Sequence, residues 1–255
     1  MTRLALDERF PAETLDDDVW FPYYLPHWSS REAAAASYAV RDGELRLSIP
    51  VDQTLWCADL HPEPLRVSVI QSGSLAGPLG STQGQQPFRE GLRVREEQPT
   101  LLGYTPRYGH IEARMRGVVT ERSMFALWLS GIEDEPAHSG EICVAEIFGS
   151  GVRDGTAEVG MGIHRFRDPR SEEAFSVLSL PVDVSESHTF AVDWRAASVT
   201  FSVDGQSVHR IEQAPDYPMQ LMLGVFDFPD RAADPEAVAP VPEMVVSYIS
   251  GTPLD

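Results

Sequence analysis

Gly140-Glu141-Ile142-Cys143-Val144-Ala145-Glu146-Ile147-Phe148-Gly149 places two carboxylates in an otherwise apolar, β-favouring run. Successive side chains of a plain strand point to opposite faces. The odd spacing of Glu141 and Glu146 would therefore set them on opposite sides of a sheet. One inserted residue, a β-bulge, returns the second carboxylate to the face of the first, and bulges are frequent beside active sites because they re-aim a side chain. A strand can also carry two glutamates because its face is solvated, but such a face alternates with other polar residues. Here Ile142, Val144, Ile147 and Phe148 surround the pair. Carboxylates among apolar neighbours need a task or a partner. Two of them on one face of one strand fit the chemistry of a retaining glycosidase.

The rest of the chain is consistent with that chemistry. Its 255 residues, 42% of them hydrophobic, fit a single domain spanning 1–255 with a substantial core. No run of eighteen apolar residues suggests a membrane span. The opening Met1–Phe10 carries acidic residues where an export signal needs an apolar centre. The chain as written is expected to be cytoplasmic, or extracellular if a leader has been trimmed from it. A formal charge of −19 speaks against nucleic acid and favours a neutral polymer over a polyanionic one. All twenty basic residues are Arg, and the chain has no Asn, a bias of the kind a GC-rich genome produces. Cys57 and Cys143 match no metal-ligand spacing, and a disulfide between them has no support.

The hydrophobic periodicity is that of strands throughout. Strands are expected at Glu44–Ile49, Leu65–Ser72, Gly109–Arg116, Met124–Leu129, Glu141–Phe148, Ala157–His164, His188–Trp194, Ser198–Val203, Gln206–Ile211, Met219–Phe226 and Glu243–Ile249. Asp-Gly turns at Asp42-Gly43, Asp154-Gly155 and Asp204-Gly205 punctuate them, and the last of these predicts a hairpin from Ser198 to Ile211. Many short strands with Gly and Pro turns indicate an all-β sandwich or jelly roll. Arg31–Tyr38, with its four alanines, has helical propensity but could equally be extended. Gly73–Gln86 and Asp230–Pro242 read as surface loops.

With these strands in place, the sequence resembles the family-sixteen glycoside hydrolases, the laminarinase, lichenase and endo-β-glucanase group. Glu141-Ile142-Cys143-Val144-Ala145-Glu146 is similar to the family's Glu-x-Asp-x-x-Glu on a bulged strand, except that Cys143 stands where the middle Asp would be. Tyr108–Arg114 looks like the family's strand entering the cleft sheet, and Ala126-Leu127-Trp128-Leu129 like the tryptophan strand before the catalytic one. His188–Trp194 with Val203-Asp204-Gly205, Pro218–Gly224 and Met244–Ile249 follow in the family's order. The resemblance implies a β-jelly-roll sandwich of two curved antiparallel sheets, of the concanavalin A-like lectin/glucanase kind. It further implies Glu141 as nucleophile and Glu146 as general acid/base. Cys143 then replaces a hydrogen-bonding anion by a weak donor that burial keeps neutral. The alternative is that it merely fills space.

Sugar-gripping residues are sought among aromatics and amides. Trp128 is the foremost stacking candidate, with core packing as the rival reading. Trp28 and Tyr24 belong to the Trp20–Trp28 aromatic, proline-rich loop. They are expected at the cleft rim, the alternative being that they cover the core's edge. His164 resembles a family cleft histidine. Gln220 and Phe226 share one strand face with Met222 and Gly224 by period two, and Gly224 stands where related enzymes often place a polar contact. No acid cluster demands calcium, so no metal or cofactor is expected. The expected activity is retaining, endo-β-glucanase-type cleavage of a neutral polysaccharide or oligosaccharide by a monomer. A transglycosylase would use the same residues. A non-catalytic carbohydrate-binding sandwich is the alternative that Cys143 raises.

Overall fold

The structure is a computed structural model that describes residues 5–231 and 240–254. Its strands in chain order begin with β1 (Leu6–Glu8), β2 (Ser37–Arg41), β3 (Glu44–Ser48), β4 (Arg66–Gln71), β5 (Gly73–Ser74) and β6 (Leu101–Leu102). They continue with β7 (Gly109–Val118), β8 (Ser123–Gly131), β9 (Glu141–Phe148), β10 (Val152–Arg153), β11 (Thr156–His164) and β12 (Ala174–Leu180). The last are β13 (His188–Arg195), β14 (Ser198–Val203), β15 (Gln206–Ile211), β16 (Met219–Asp227) and β17 (Glu243–Thr252). Among the described residues two large antiparallel sheets result, beside a two-stranded one of β5 and β6. The back sheet runs β15-β14-β13-β7-β17-β3-β2, with β1 on β17. The site sheet runs β10-β11-β9-β8-β16-β4, with β12 on β11.

Alternation fills the space between the sheets. Ile111, Ala113 and Met115 of β7 and Phe190, Val192 and Trp194 of β13 meet Phe125, Leu127 and Leu129 of β8 and Leu221, Leu223 and Val225 of β16 in one buried cluster. Fully burying such a side chain contributes about 1.5–3 kcal/mol, so this interior dominates the stability of the sandwich. Asp42 and Asp204 take the left-handed conformation together with Gly43 and Gly205. That is the two-residue hairpin turn expected of Asp-Gly.

Every strand expected from the sequence is present, with ends moved by a residue or a few. Tyr108–Arg114 is a correction in placement. Its strand, β7, lies between β13 and β17 in the back sheet, not in the sheet of Glu141. The Arg31–Tyr38 stretch divides: Ser30 caps a single helical turn at Arg31–Ala34 by accepting from the Ala33 N–H, and Ser37 then opens β2. The Gly73–Gln86 loop keeps its irregular character apart from β5. The expected loop at Asp230–Pro242 falls largely on residues 232–239, outside those described. Among the described residues no helix is long and apolar enough to cross a membrane.

Candidate active site

Strand β9 shows how the two glutamates share a face. Cys143 pairs with Trp128 and Ala145 with Leu127, leaving Val144 as the extra residue, and the register against β11 shifts at the same place. Ile142, Val144, Ala145 and Ile147 all enter the inter-sheet core, whereas Cys143 belongs to a second cluster on the sheet's outer face. Two consecutive inward residues, Val144 and Ala145, are the bulge. Glu141, Cys143 and Glu146 consequently point outward together.

Cross-strand pairing arranges that outer face in rows. Glu141 lies between His164 and Ser130, and Ser130 faces Gln220. Cys143 lies between Gly162 and Trp128, with Met222 beyond. Glu146 lies between Gly160 and Ala126, with Gly224 beyond. Glu146 also lines a cavity of about 180 Å³ with Phe148, Gly160 and Phe175. Gly160 is required there: a Cβ would come within 2.5 Å of the Phe175 ring and 3.3 Å of the Glu146 Cβ.

Both carboxyls hold protons more tightly than usual. Burial raises Glu141 well above the ordinary carboxylate range, Glu146 and Glu133 raise it further, and the Trp128 indole N–H opposes them. Burial also raises Glu146, against the Cys143 thiol, which donates to it, and the nearby His164. Cys143 itself is driven far above the usual thiol range by burial and then by the two glutamates. It is a neutral donor here, not a second anion. Tyr24 is raised as well, first by burial and then by the charges of Glu141 and Glu146.

The expected binding residues divide. His164 comes to the carboxyls: its Nδ1 lies 2.5 Å from Glu173, and its ring stacks on Phe175 at 4.4 Å. Tyr24 feels the charges of the pair while its ring packs edge-on against Phe226 at 5.3 Å. Gln220 is fully buried, yet neither its Nε2 nor its Oε1 meets a protein partner. Trp128 is only 6% exposed and packs on Phe226, so it offers little ring face for stacking. Phe226, 5% exposed, supports Tyr24 and Trp128 from below. Trp28 overturns the rim expectation: it is 0% exposed and its indole N–H goes to the Gln85 carbonyl at 2.6 Å. Gly224 has no room for a polar contact, because a Cβ would meet Val69 at 2.3 Å and the Ser68 carbonyl at 2.6 Å.

Sequence reasoning missed Glu173 and Phe175 because β12 went unrecognised. Its alternation, with Leu178 and Leu180 packed toward the core and Phe175 on the other face, was the available signal. It also missed a polar network beside Glu141. Gln86 gives its Nε2 to Ser130 Oγ at 2.7 Å and its N–H to Glu133 at 2.7 Å, and Arg167 pairs with Glu133. No local pattern joins residues so far apart in the chain.

No curated protein sequence matches the chain. Among solved structures, a GlcNAcα1-4Gal-releasing endo-β-galactosidase from Clostridium perfringens superposes with a TM-score of 0.80 at 25% identity, over 96% of this chain and 61% of that one. The chain thus spans less than two thirds of that protein. The laminarinase catalytic domain from Thermotoga petrophila RKU-1 gives 0.65 at 18% identity, over 98% of this chain and 96% of that one. The Bacillus licheniformis β-glucanase gives 0.59 at 15%, over 99% of each. These last two establish the jelly-roll sandwich. The family model described as glycosyl hydrolases family 16 matches residues 104–239, more than half of the 255. With the bulged strand inside the matched segment, the chain belongs to family 16 of the glycosyl hydrolases.

Proposed function

We propose that this chain is a retaining, endo-acting glycosidase that cleaves a neutral glycan with Glu141 as nucleophile and Glu146 as general acid/base. The observation that carries the reading is the bulge at Val144, which sets both carboxyls on the outer face. In the first step a Glu141 oxygen attacks the anomeric carbon while Glu146 gives its proton to the departing glycosidic oxygen. In the second, Glu146 takes a proton from water, the resulting oxygen displaces Glu141, and the sugar leaves with its original anomeric configuration. Glu146 suits the acid role because burial keeps its proton to higher pH, and because the adjoining cavity gives water access. Glu141 suits the nucleophile role because the Trp128 N–H favours its ionised form.

The charges also show a tension. The larger upward push falls on Glu141, and Cys143 donates to Glu146, favouring ionisation of the acid. The productive arrangement, with Glu141 ionised and Glu146 protonated, is one microstate of a coupled pair. Cys143 in place of an aspartate weights the pair away from it. Gln220, with its unpartnered amide in the Glu141 row, and His164 are assigned to substrate hydroxyls.

Two substrate classes suit the site. The fold and motif fit β-glucans, whereas the higher TM-score to the endo-β-galactosidase favours a galactose-containing glycan. Hydrolysis of laminarin, lichenan and galactose-containing oligosaccharides should be measured beside Glu141→Gln. Equal product from the two proteins on every substrate would sink the glycosidase reading. Saturable binding without turnover would support the carbohydrate-binding alternative.

A further inference from the structure

Cys143, Glu146 and His164 each offer one ligand atom, a sulfur, a carboxylate oxygen and an imidazole nitrogen, and these lie within 4.8 Å of one another. Adjacent strands bring them together, with Cys143 opposite Gly162, Glu146 opposite Gly160, and His164 two residues beyond Gly162. We propose that this trio is a binding site for a thiophilic divalent cation of the zinc type, which on binding occupies the proton-carrying oxygen of the carboxyl pair.

The donor set selects the cation. Zinc takes sulfur, nitrogen and oxygen together in compact four-coordinate sites. Calcium and magnesium require oxygen ligands and would leave the thiol and imidazole unused. The imidazole is already prepared. Its Nδ1 is held 2.5 Å from Glu173, which leaves Nε2 as the nitrogen available to a cation, and metal-ligating histidines typically have their other nitrogen tied to a carboxylate in this way. Stacking on Phe175, with ring planes 20° apart, fixes the ring further.

The charged groups acting on Cys143 are Glu146, Glu141 and Glu173, all negative, so a dication enters a field that attracts it. Glu146 and His164 are half-buried and face the open side, which gives a route in past the completely buried sulfur. On binding, the cation replaces the thiol proton, which leaves for solvent. Cys57 offers no rival site: it is buried, its thiol faces the Trp28 carbonyl, and the guanidinium of Arg95 lies beside it.

Titration of the whole chain with Co²⁺ and then Zn²⁺ tests this without any turnover, so its result is separable from the glycosidase reading. The expected result is one equivalent of Co²⁺ bound, with sulfur-to-cobalt charge-transfer absorption that Zn²⁺ displaces and with proton release. Cys143→Ser should abolish that absorption, and Cys57→Ser should leave it. Should Cys143→Ser fold poorly, His164→Gln at a half-buried position reads the same site, and Zn²⁺ affinity should fall at least about tenfold, as it should for Glu173→Gln. Absence of the absorption in the folded wild type, its persistence in Cys143→Ser, or unchanged affinity in His164→Gln would each overturn the proposal. If hydrolysis is detected, Zn²⁺ should inhibit it at the concentrations that fill the site.

Discussion

The outer face of the site sheet has two halves built from the same alternation, and loops treat them differently. Over β4 and β16, Val67, Val69, Met222 and Phe226 are sealed beneath Leu25, Trp28, Trp56 and Leu92 in a second apolar cluster. Over β9, β11 and β12, the face carries Glu141, Glu146, His164 and Phe175, half-buried and beside a cavity. A sheet face becomes a site where the loops stop. The difference is written into the strands. β16 is buried along its whole length on both faces, whereas β9 interrupts its apolar run with two carboxyls.

The largest effects should come from the open half. Glu146→Gln and Glu141→Gln should each lower kcat by about 10²–10⁴-fold or more, read as reducing ends released. Glu141→Gln should also stabilise the fold near neutral pH. The folded-state pKa of Glu141 is raised above 4.5, so its contribution to stability is full below that value and is lost as pH rises through the folded pKa. A neutral amide avoids the loss. Each kcal/mol gained should lift Tm by about 2–4 °C, with the advantage vanishing near pH 4. An open half that merely solvated two acids would show no such gain. The same raised values predict a pH–rate profile displaced upward from that of two ordinary carboxyls, since Glu141 ionises later and Glu146 holds its proton longer.

The roofed half should respond in stability and not in catalysis. Trp28→Ala removes a fully buried ring and should cost about 3–5 kcal/mol in denaturant unfolding, with KM unchanged wherever the variant is folded. A raised KM with normal stability would return Trp28 to the rim and erase the contrast between the halves.

The contrast also explains what could be read from sequence. The bulge, the faces of β8, β9 and β16, and the Asp-Gly hairpins followed from period-two patterns and turn chemistry that act over a few residues. The roof did not, because an aromatic, proline-rich loop has the same composition whether it meets ligand or core. Trp28 is decided by Gln85, and Gly84 packs so near that a Cβ there would come 2.7 Å from the indole. That contact is nearly sixty residues distant in the chain. The Gln86–Ser130 and His164–Glu173 pairs were hidden likewise, since each joins a strand to a loop without periodicity. The departure at Cys143 was legible, but its direction of action was not until the thiol was seen to face Glu146.

Cys143→Asp sharpens the comparison at intermediate size. Removing the thiol that favours an ionised Glu146, and adding a carboxyl beside it, should raise the pKa of Glu146. An increase in kcat of about tenfold, the equivalent of roughly one pKa unit or 1.4 kcal/mol, should accompany an alkaline limb moved to higher pH. Unchanged kcat with an unmoved limb would mean that Cys143 only fills space.

Tyr24 lies on the seam, and its two ends should separate the halves within one residue. The ring belongs to the roof, 5.1 Å from Trp56 and 5.3 Å from Phe226, while the phenol senses Glu141 and Glu146. Tyr24→Phe keeps the ring. It should leave Tm nearly unchanged and alter kcat only several-fold, in keeping with one hydrogen-bonding group of about 0.5–1.5 kcal/mol. The phenol stays protonated at working pH because burial and both carboxylates raise its pKa, so its dipole can favour an ionised Glu141. Its loss should therefore move the acidic limb of the pH–rate profile upward. Tyr24→Ala removes the ring too and should lose stability as Trp28→Ala does. If Tyr24→Phe matched Tyr24→Ala in Tm, or left both kcat and the limb untouched, the phenol would belong to the roof and the site would end at β9.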